Sequence, residues 1–429
     1  MSRIEVQGSV APGFESVKQR FEQQTNTLAE DNAQLCVYHR GQKVVDLWAS
    51  ATADDRFDAD SLVNIFSSGK SLESIAIAAL VSKGLIDYDT PIVQYWPEFG
   101  GQGKEDVTIA DVLRHESGMA NFDVSLEAED VYTENIKQNA VGKVIEQHGQ
   151  RFTPLGKREY HAITRGWIVN EVFRRVDPAG RTIGEFLRED IKGPMGVDVV
   201  VGVSEADRER MFPVKPLGFG FQLLQGFVPR FLGRKVVHNI FQVLTRLAKI
   251  VAGLFKGGRQ SRPPPAFTQM KSLAYFNHPD WGRGETSSAN ATCSARGLAK
   301  LGAMLSGGGA LEGREYLTPG AWQAMHDKPV EGMLGPIVPT RFTQGGVDKF
   351  IECGPGASAS MRAFNEGREG FYGWMGLGGS LFQWNPALDI GFAFVPTALH
   401  YLDLLNERGK VYQAEVLRCV RKLEEETTR

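Results

Sequence analysis

Cysteine is scarce in this chain: four residues among 429, at positions 36, 293, 353 and 419. They lie far apart and form no Cys-x-x-Cys pair, which argues against a zinc ribbon and against a dense disulfide framework. They read as reduced, mostly buried thiols. Long uncharged apolar runs are also missing, so no membrane-spanning helix of about 18 residues or more is expected. The opening stretch, MSRIEVQGSVAPGFESVKQRFEQQ, has no apolar segment of the signal-peptide kind and is too acidic for a transit peptide. The final EEETTR carries no retention or lipidation signal. The expectation is a cytoplasmic protein without a signal peptide. Net charge is only −3, so nothing global points to nucleic acid. The eight histidines form no His-x-His and no His-Glu-x-x-His, which argues against a zinc hydrolase. No Gly-x-Ser-x-Gly occurs, and GASAS from Gly356 lacks the second glycine, so an α/β-hydrolase nucleophile elbow is absent.

What remains is an ordinary globular composition, 42% hydrophobic and 23% charged, long enough for a large core and two subdomains. The periodicity predicts a helix over 14–26. Two β-rich runs, AQLCVYHR and KVVDLWAS, follow and meet at a hairpin signal around Arg40-Gly41-Gln42. SLESIAIAALVSKG places Leu72, Ile75, Ala76, Ala79 and Leu80 at helical spacing, with little polar interruption, and Gly84 can end that helix. Residues 107–200 read as helices joined by loops. Strand signals return at GSLFQW and IGFAFVP, on either side of Asn385-Pro386, and a charged helix closes the chain over 404–426. Strands at both ends around a helical middle predict an α+β fold. One antiparallel sheet, built from 1–104 and 280–429 and flanked by helices in an α/β sandwich, carries a helical domain inserted at 105–279.

Acidic residues are absent from 211–279, where ten Lys and Arg occur. Inside this insert, KVVHNIFQVLTRLAKIVAGLFK sets Val237, Ile240, Phe241, Leu244, Leu247, Val251 and Leu254 on one helical stripe. Asn239, Gln242, Arg246, Lys249 and Lys256 fall opposite. GGRQSRPPP then reads as a flexible and afterwards stiff linker. Three roles are open for 230–256: contact with an anionic membrane surface, a lid over an active site, or an ordinary core-facing helix.

The stretch FSSGKSLES, from Phe66 to Ser74, admits two chemistries. Gly69-Lys70-Ser71 is the tail of a phosphate-binding loop, but the residue five before Gly69 is Asn64, where that motif needs glycine. The alternative is Ser67 three residues before Lys70. At the start of a helix these positions share a face, so the hydroxyl and amine come within reach. Serine needs a base to act as a nucleophile, and burial disfavours the ammonium form of lysine. Free N–H groups at a helix N-terminus can hold an oxyanion. Taken alone, Ser67 reads equally well as an N-cap.

The surrounding sequence resolves the choice. VNIFSSGKSLESIAIAALVSKGLIDYDTPIVQYWPEF, followed by VTIADVLRHESGM, resembles the serine β-lactamase and penicillin-binding-protein superfamily. It is most similar to the class C β-lactamase-like branch, with its family VIII carboxylesterases and animal β-lactamase domain-containing proteins. The resemblance runs over about 13–403, and 230–265 has no counterpart. It implies the β-lactamase/transpeptidase-like fold and a catalytic set of Ser67, Lys70 and Tyr160. Tyr160 is carried by the PLGKREYHAITRGW frame; without the frame it would read as a buried tyrosine bonded to backbone. A third motif is Trp374-Met375-Gly376 with Gly378 following, which the resemblance makes substrate-binding, with the Leu377 N–H joining that of Ser67 as the oxyanion site. Two positions depart from the lactamase pattern. Ala162 stands where asparagine is usual, and Trp374 where lysine is usual. His115 and His161 read as structural hydrogen-bonders, and Glu73 and Asp111 as solvated or capping residues. The resemblance implies a serine hydrolase forming an acyl-enzyme with small esters, with amides or peptides also open, and needing no metal or organic cofactor. The alternative is a catalytically weak scaffold or membrane-associated assembly protein. Oligomeric state is not legible.

Overall fold

The computed structural model describes residues 3–52, 54–152, 157–256, 263–335 and 338–428. Nine antiparallel strands form one sheet: β1 (Val6–Val10), β2 (Asn32–His39), β3 (Gln42–Ser50), β4 (Val330–Leu334), β5 (Val338–Phe342), β6 (Asp348–Lys349), β7 (Tyr372–Met375), β8 (Leu381–Asn385) and β9 (Ile390–Pro396). Their spatial order is β1-β3-β2-β9-β8-β7-β6-β5-β4. The two ends of the chain therefore meet at the β2–β9 pair, where Leu35 faces Phe394 and Val37 faces Phe392. The tight β2–β3 connection works because both linking residues, Arg40 at φ 51° and Gly41 at φ 70°, adopt positive φ, the geometry that matches strand twist.

Alternation along the strands divides the core in two. Leu35, Val37, Phe392 and Phe394 point to one face, where Phe21, Tyr412 and Val416 cover them from α1 (Glu15–Thr27) and a C-terminal helix spanning Glu407–Thr428. Cys36, Ala393 and Val395 point to the other face, toward the helix Ala295–Ser306. That helix lies close against the sheet because glycine meets glycine: a Cβ on Gly302 would stand 3.0 Å from Gly391 Cα. Together these layers make the α/β sandwich of the β-lactamase/transpeptidase-like fold.

The buried helix expected after Phe66 is α2 (Lys70–Ser82), inaccessible from Lys70 to Leu80. It packs on α3 (Thr164–Val176). Strands β4 to β7 were not foreseen as a set. β4 is largely exposed and carries Glu331, Gly332 and Met333, so no clean alternation marks it. All four cysteines are free; Cys36, Cys293 and Cys419 are buried and Cys353 is partly exposed.

The insert departs from its expected helical stripe. Two helices, α4 (Phe219–Phe227) and α5 (Ile240–Lys256), form a hairpin in which Gly226 lies against Ile240. Ile240 and Val243 face inward with Leu247 half-buried, whereas Phe241, Leu244 and Val251 of the expected stripe face solvent. Arg246, expected on the solvated side, instead reaches inward to the Glu407 carboxylate at 2.6 Å. The register is set by that ion pair and by His238 on Asp403 at 2.9 Å; the apolar pattern alone could not place them. The side chain of Leu254 lies outside the described residues.

Candidate active site

A short 3-10 turn, Phe66–Gly69, leads directly into α2. It is anchored from behind by a small three-stranded sheet, in which Asn64 pairs with Thr292. The backbone turns sharply at Phe66, which has φ 47°, a conformation costly for an aromatic residue and sustained only by its surroundings. Those surroundings are the Asn64 Oδ1, which accepts from the Phe66 N–H at 2.8 Å, and the Phe276 ring at 5.0 Å. The result presents Ser67 at the surface while Ser68 and Ser71 are buried. Ser67 caps nothing with its side chain, so the N-cap reading fails.

Lys70 is fully inaccessible, and three oxygens surround its Nζ: Ala162 O at 2.8 Å, Ser288 O at 3.0 Å and Ser67 Oγ at 3.4 Å. Two of these are carbonyls, which can only accept. They take two N–H bonds and leave the third tetrahedral direction aimed at Ser67. In the ammonium that direction is another donor; in the neutral amine it is the lone pair, which can take the serine proton. Burial drives the Lys70 amine down to about 7, opposed by the Glu73 carboxylate and reinforced by the Arg165 guanidinium.

Tyr160 lies on the other side of Ser67. The Lys70 Nζ is 4.8 Å from its ring centroid, and the His115 ring packs on it at 4.9 Å. Burial pushes the Tyr160 hydroxyl up, while hydrogen bonds with Ser67 and Trp374 act the other way. The resemblance makes Trp374 a substrate-binding residue standing where a cation is usual. Its Nε1–H in fact donates to the Tyr160 hydroxyl at 3.1 Å. The Ala162 side chain offers no polar group, yet its carbonyl is a lysine acceptor.

The loop after β7 is fixed to the Ser67 turn. Ser380 Oγ donates to Ile65 O at 2.6 Å, and Ser68 Oγ lies 3.0 Å from Ser380 Oγ. Gly376 packs on the Ile65 carbonyl, leaving no room for a Cβ, and Gly378 turns at φ 78° against Leu399. Leu377 projects to solvent between them. Among the described residues, neither the Ser67 N–H nor the Leu377 N–H donates to a protein acceptor. Two unpaired amides thus sit on two segments that are bolted together.

Glu73 corrects the expectation of a solvated or capping residue. It is fully buried, paired with Arg165 at 2.9 Å, and accepts from Ser287 Oγ at 2.9 Å and Ser288 Oγ at 2.6 Å. Arg165 in turn donates to Lys70 O and to Ser74 Oγ. The network braces the helix that carries Lys70, and the Ser288 backbone whose carbonyl accepts a hydrogen bond from its amine. Glu73 sits one turn from Lys70 on a helix with no solvent face, and that position was the available signal. Asp111 does cap, in a reciprocal box with Thr108. His161 Nε2 accepts from Met119 N, and His115 Nδ1 accepts from His161 N, the structural roles foreseen for both.

A family profile described as Beta-lactamase matches residues 17–212. The esterase/beta-lactamase LipL of Mycobacterium tuberculosis is 26% identical over 406 residues, covering 91% of this chain and 83% of that protein. A penicillin-binding-protein homolog from Caulobacter crescentus, solved by crystallography, superposes with a TM-score of 0.71 at 25% identity, covering 96% of this chain and 100% of its own. The crystal structure of a family VIII carboxylesterase superposes with a TM-score of 0.73 at 23% identity, covering 97% and 100%. These likenesses span both layers of the sandwich and the helices between them, and over nearly its whole length the chain is similar to the serine β-lactamase and penicillin-binding-protein-like superfamily.

Proposed function

We propose that the protein is a serine hydrolase that cleaves small esters through an acyl-enzyme. The observation that carries this reading is the pairing of the one accessible serine of the turn, Ser67, with a fully buried lysine whose only free direction faces it at 3.4 Å. Neutral Lys70, relayed by Tyr160, takes the Ser67 proton as Oγ attacks the carbonyl carbon. The oxyanion is held by the N–H groups of Ser67 and Leu377, which have no protein acceptor to compete. Tyr160 returns the proton to the leaving alcohol, and water then cleaves the acyl-enzyme with Lys70 and Tyr160 in reversed roles.

An apolar recess of about 450 Å³ opens beside Ala162, lined by Phe122, Ile163, Trp167, Pro264 and Met270 among others. It suits a short acyl chain. The esterase and carboxylesterase names among the relatives support a serine hydrolase that accepts esters. The test is labelling with a fluorophosphonate probe and mapping of the modified peptide. The adduct should fall on Ser67, and Ser67→Ala should abolish both labelling and ester hydrolysis. An adduct on Ser68, or undiminished turnover in Ser67→Ala, overturns the mechanism.

A further inference from the structure

The α4–α5 hairpin takes no part in the site, yet most of the exposed large hydrophobic side chains among the described residues lie on it. Phe231 is 86% accessible, Phe241 78%, Leu224 69%, Phe227 67% and Leu232 66%. On α5, Phe241, Leu244, Ala248 and Val251 recur at helical spacing along one outward face. Clusters of this size on a soluble surface mark a contact site. The hairpin is not loose. Lys215 N and Leu217 N bond Thr397 O and Leu399 O at its start, and the His238–Asp403 and Arg246–Glu407 pairs fasten its second half.

A cleft of about 480 Å³ opens at its base, with Arg230, Arg234 and Lys235 on one wall and Arg20 and Lys410 on the other. Among the described residues no carboxylate pairs with Arg230, Arg234 or Lys235; Glu407, the one acidic residue lining the cleft, is held by Arg246. With no acidic residue anywhere in 211–279, a second copy of the chain would bring like charge against like across a two-fold interface. An anionic bilayer complements both features at once.

We propose that α4, the turn Arg230–Leu232 and α5 dock the protein on an anionic lipid surface. The exposed phenylalanines and leucines enter the interfacial layer, and the basic cleft receives lipid phosphate. This does not depend on the hydrolase reading. The full-length protein is sedimented with phosphatidylcholine vesicles, with and without phosphatidylserine. Binding should require phosphatidylserine and weaken with salt. Arg230→Gln with Lys249→Gln should lower the partition coefficient about 25-fold, at about fivefold per basic residue. Phe231→Ser with Phe241→Ser should abolish binding, and circular dichroism with a thermal melt checks that each variant is folded. The salt dependence of the unaltered protein is a readout that needs no variant. Failure to bind phosphatidylserine vesicles at low salt overturns the proposal. So does equal binding to neutral vesicles, or protection of the cleft by inorganic phosphate without vesicle binding. A dimer that Phe231→Ser dissolves, or a changed acyl-chain preference alone, in the absence of vesicle binding, also overturns it.

Discussion

The indole N–H of Trp374 donates to the hydroxyl of Tyr160 at 3.1 Å. A phenol oxygen that accepts from the indole keeps its own O–H available for donation, and Ser67 is the other side chain whose hydrogen bonding acts on it. In the proposed mechanism Trp374 therefore orients the proton relay, from a position where a lysine would have met a substrate carboxylate. Trp374→Phe keeps a ring against Phe342 and Phe364 but deletes the donor. Losing one such bond is worth about 1 kcal/mol, so kcat should fall roughly five- to tenfold with KM little changed. Steady-state kinetics decide it: an unaltered kcat would limit Trp374 to packing.

In the proposed mechanism Lys70 must be neutral to act, and burial lowers its pKa to about 7. The acid limb of the kcat/KM profile should accordingly have its midpoint near pH 7. Glu73 raises the lysine's value, so Glu73→Gln should move that midpoint downward. The same substitution leaves Arg165 as an uncompensated buried charge, at a cost of about 3–5 kcal/mol of stability. The linkage has a definite sign. The folded value lies below the ordinary 10.5, so between the two the unfolded chain binds more protons and the contribution of Lys70 to stability grows with pH. The inactive Lys70→Met variant should have its greatest thermal advantage over the native protein at pH 7 and below, and that advantage should narrow toward pH 9. A pH-independent gap in Tm would mean Lys70 is not neutral in the folded protein.

Much of the site was legible because it is local. Ser67 and Lys70 lie three residues apart on a turn leading into an uninterrupted apolar helix, and that arrangement survives translation into geometry with few assumptions. Tyr160 and the Gly376–Gly378 loop could be found only through the motif frames, since nothing in their own neighbourhood indicates that they meet Ser67. The partners of Glu73 could not be found at all. Ser287 and Ser288 lie 214 and 215 residues from Glu73 along the chain, Arg165 lies in a different helix, and a carboxylate near a helix start ordinarily reads as solvated. The strands of both chain ends followed from β-rich runs bounded by turn signals, as at Leu35, Cys36 and Val37. The exposed β4 has no such pattern. In the insert, helical periodicity identified α5 but not its rotation, because both of its faces carry apolar residues and ion pairs to Glu407 and Asp403 choose between them.

The same two departures that frame the ester reading define a substrate preference. Ala162 contributes a carbonyl but no amide side chain, and Trp374 contributes an indole but no cation, so a lactam's amide and carboxylate find neither partner. p-Nitrophenyl acetate and butyrate should be cleaved with higher kcat/KM than nitrocefin. Trp374→Lys restores a cation but also removes the donor to Tyr160, so it should not convert the protein into an efficient lactamase. A clear preference of the native protein for nitrocefin would contradict the assignment.

The proposed oxyanion site rests on the contact between Gly376 and the Ile65 carbonyl. A Cβ at Gly376 would collide with that carbonyl and with the Ser380 hydroxyl. The Ser380 hydroxyl is itself bonded to Ile65 O at 2.6 Å, so it cannot swing away without releasing the loop. Gly376→Ala should therefore lift the 376–380 loop from the Ser67 turn and carry the Leu377 N–H out of line. Overpacking of this kind costs about 1–3 kcal/mol of stability, which a protein of this size can absorb. Misplacing an oxyanion donor costs about 10²-fold or more in kcat, so activity should fail well before folding does. Gly356→Ala is the control, because open space surrounds Gly356; it should retain both the native Tm and the native rate. If Gly376→Ala lowers Tm but keeps the rate per folded molecule, the Leu377 amide is not part of the oxyanion site.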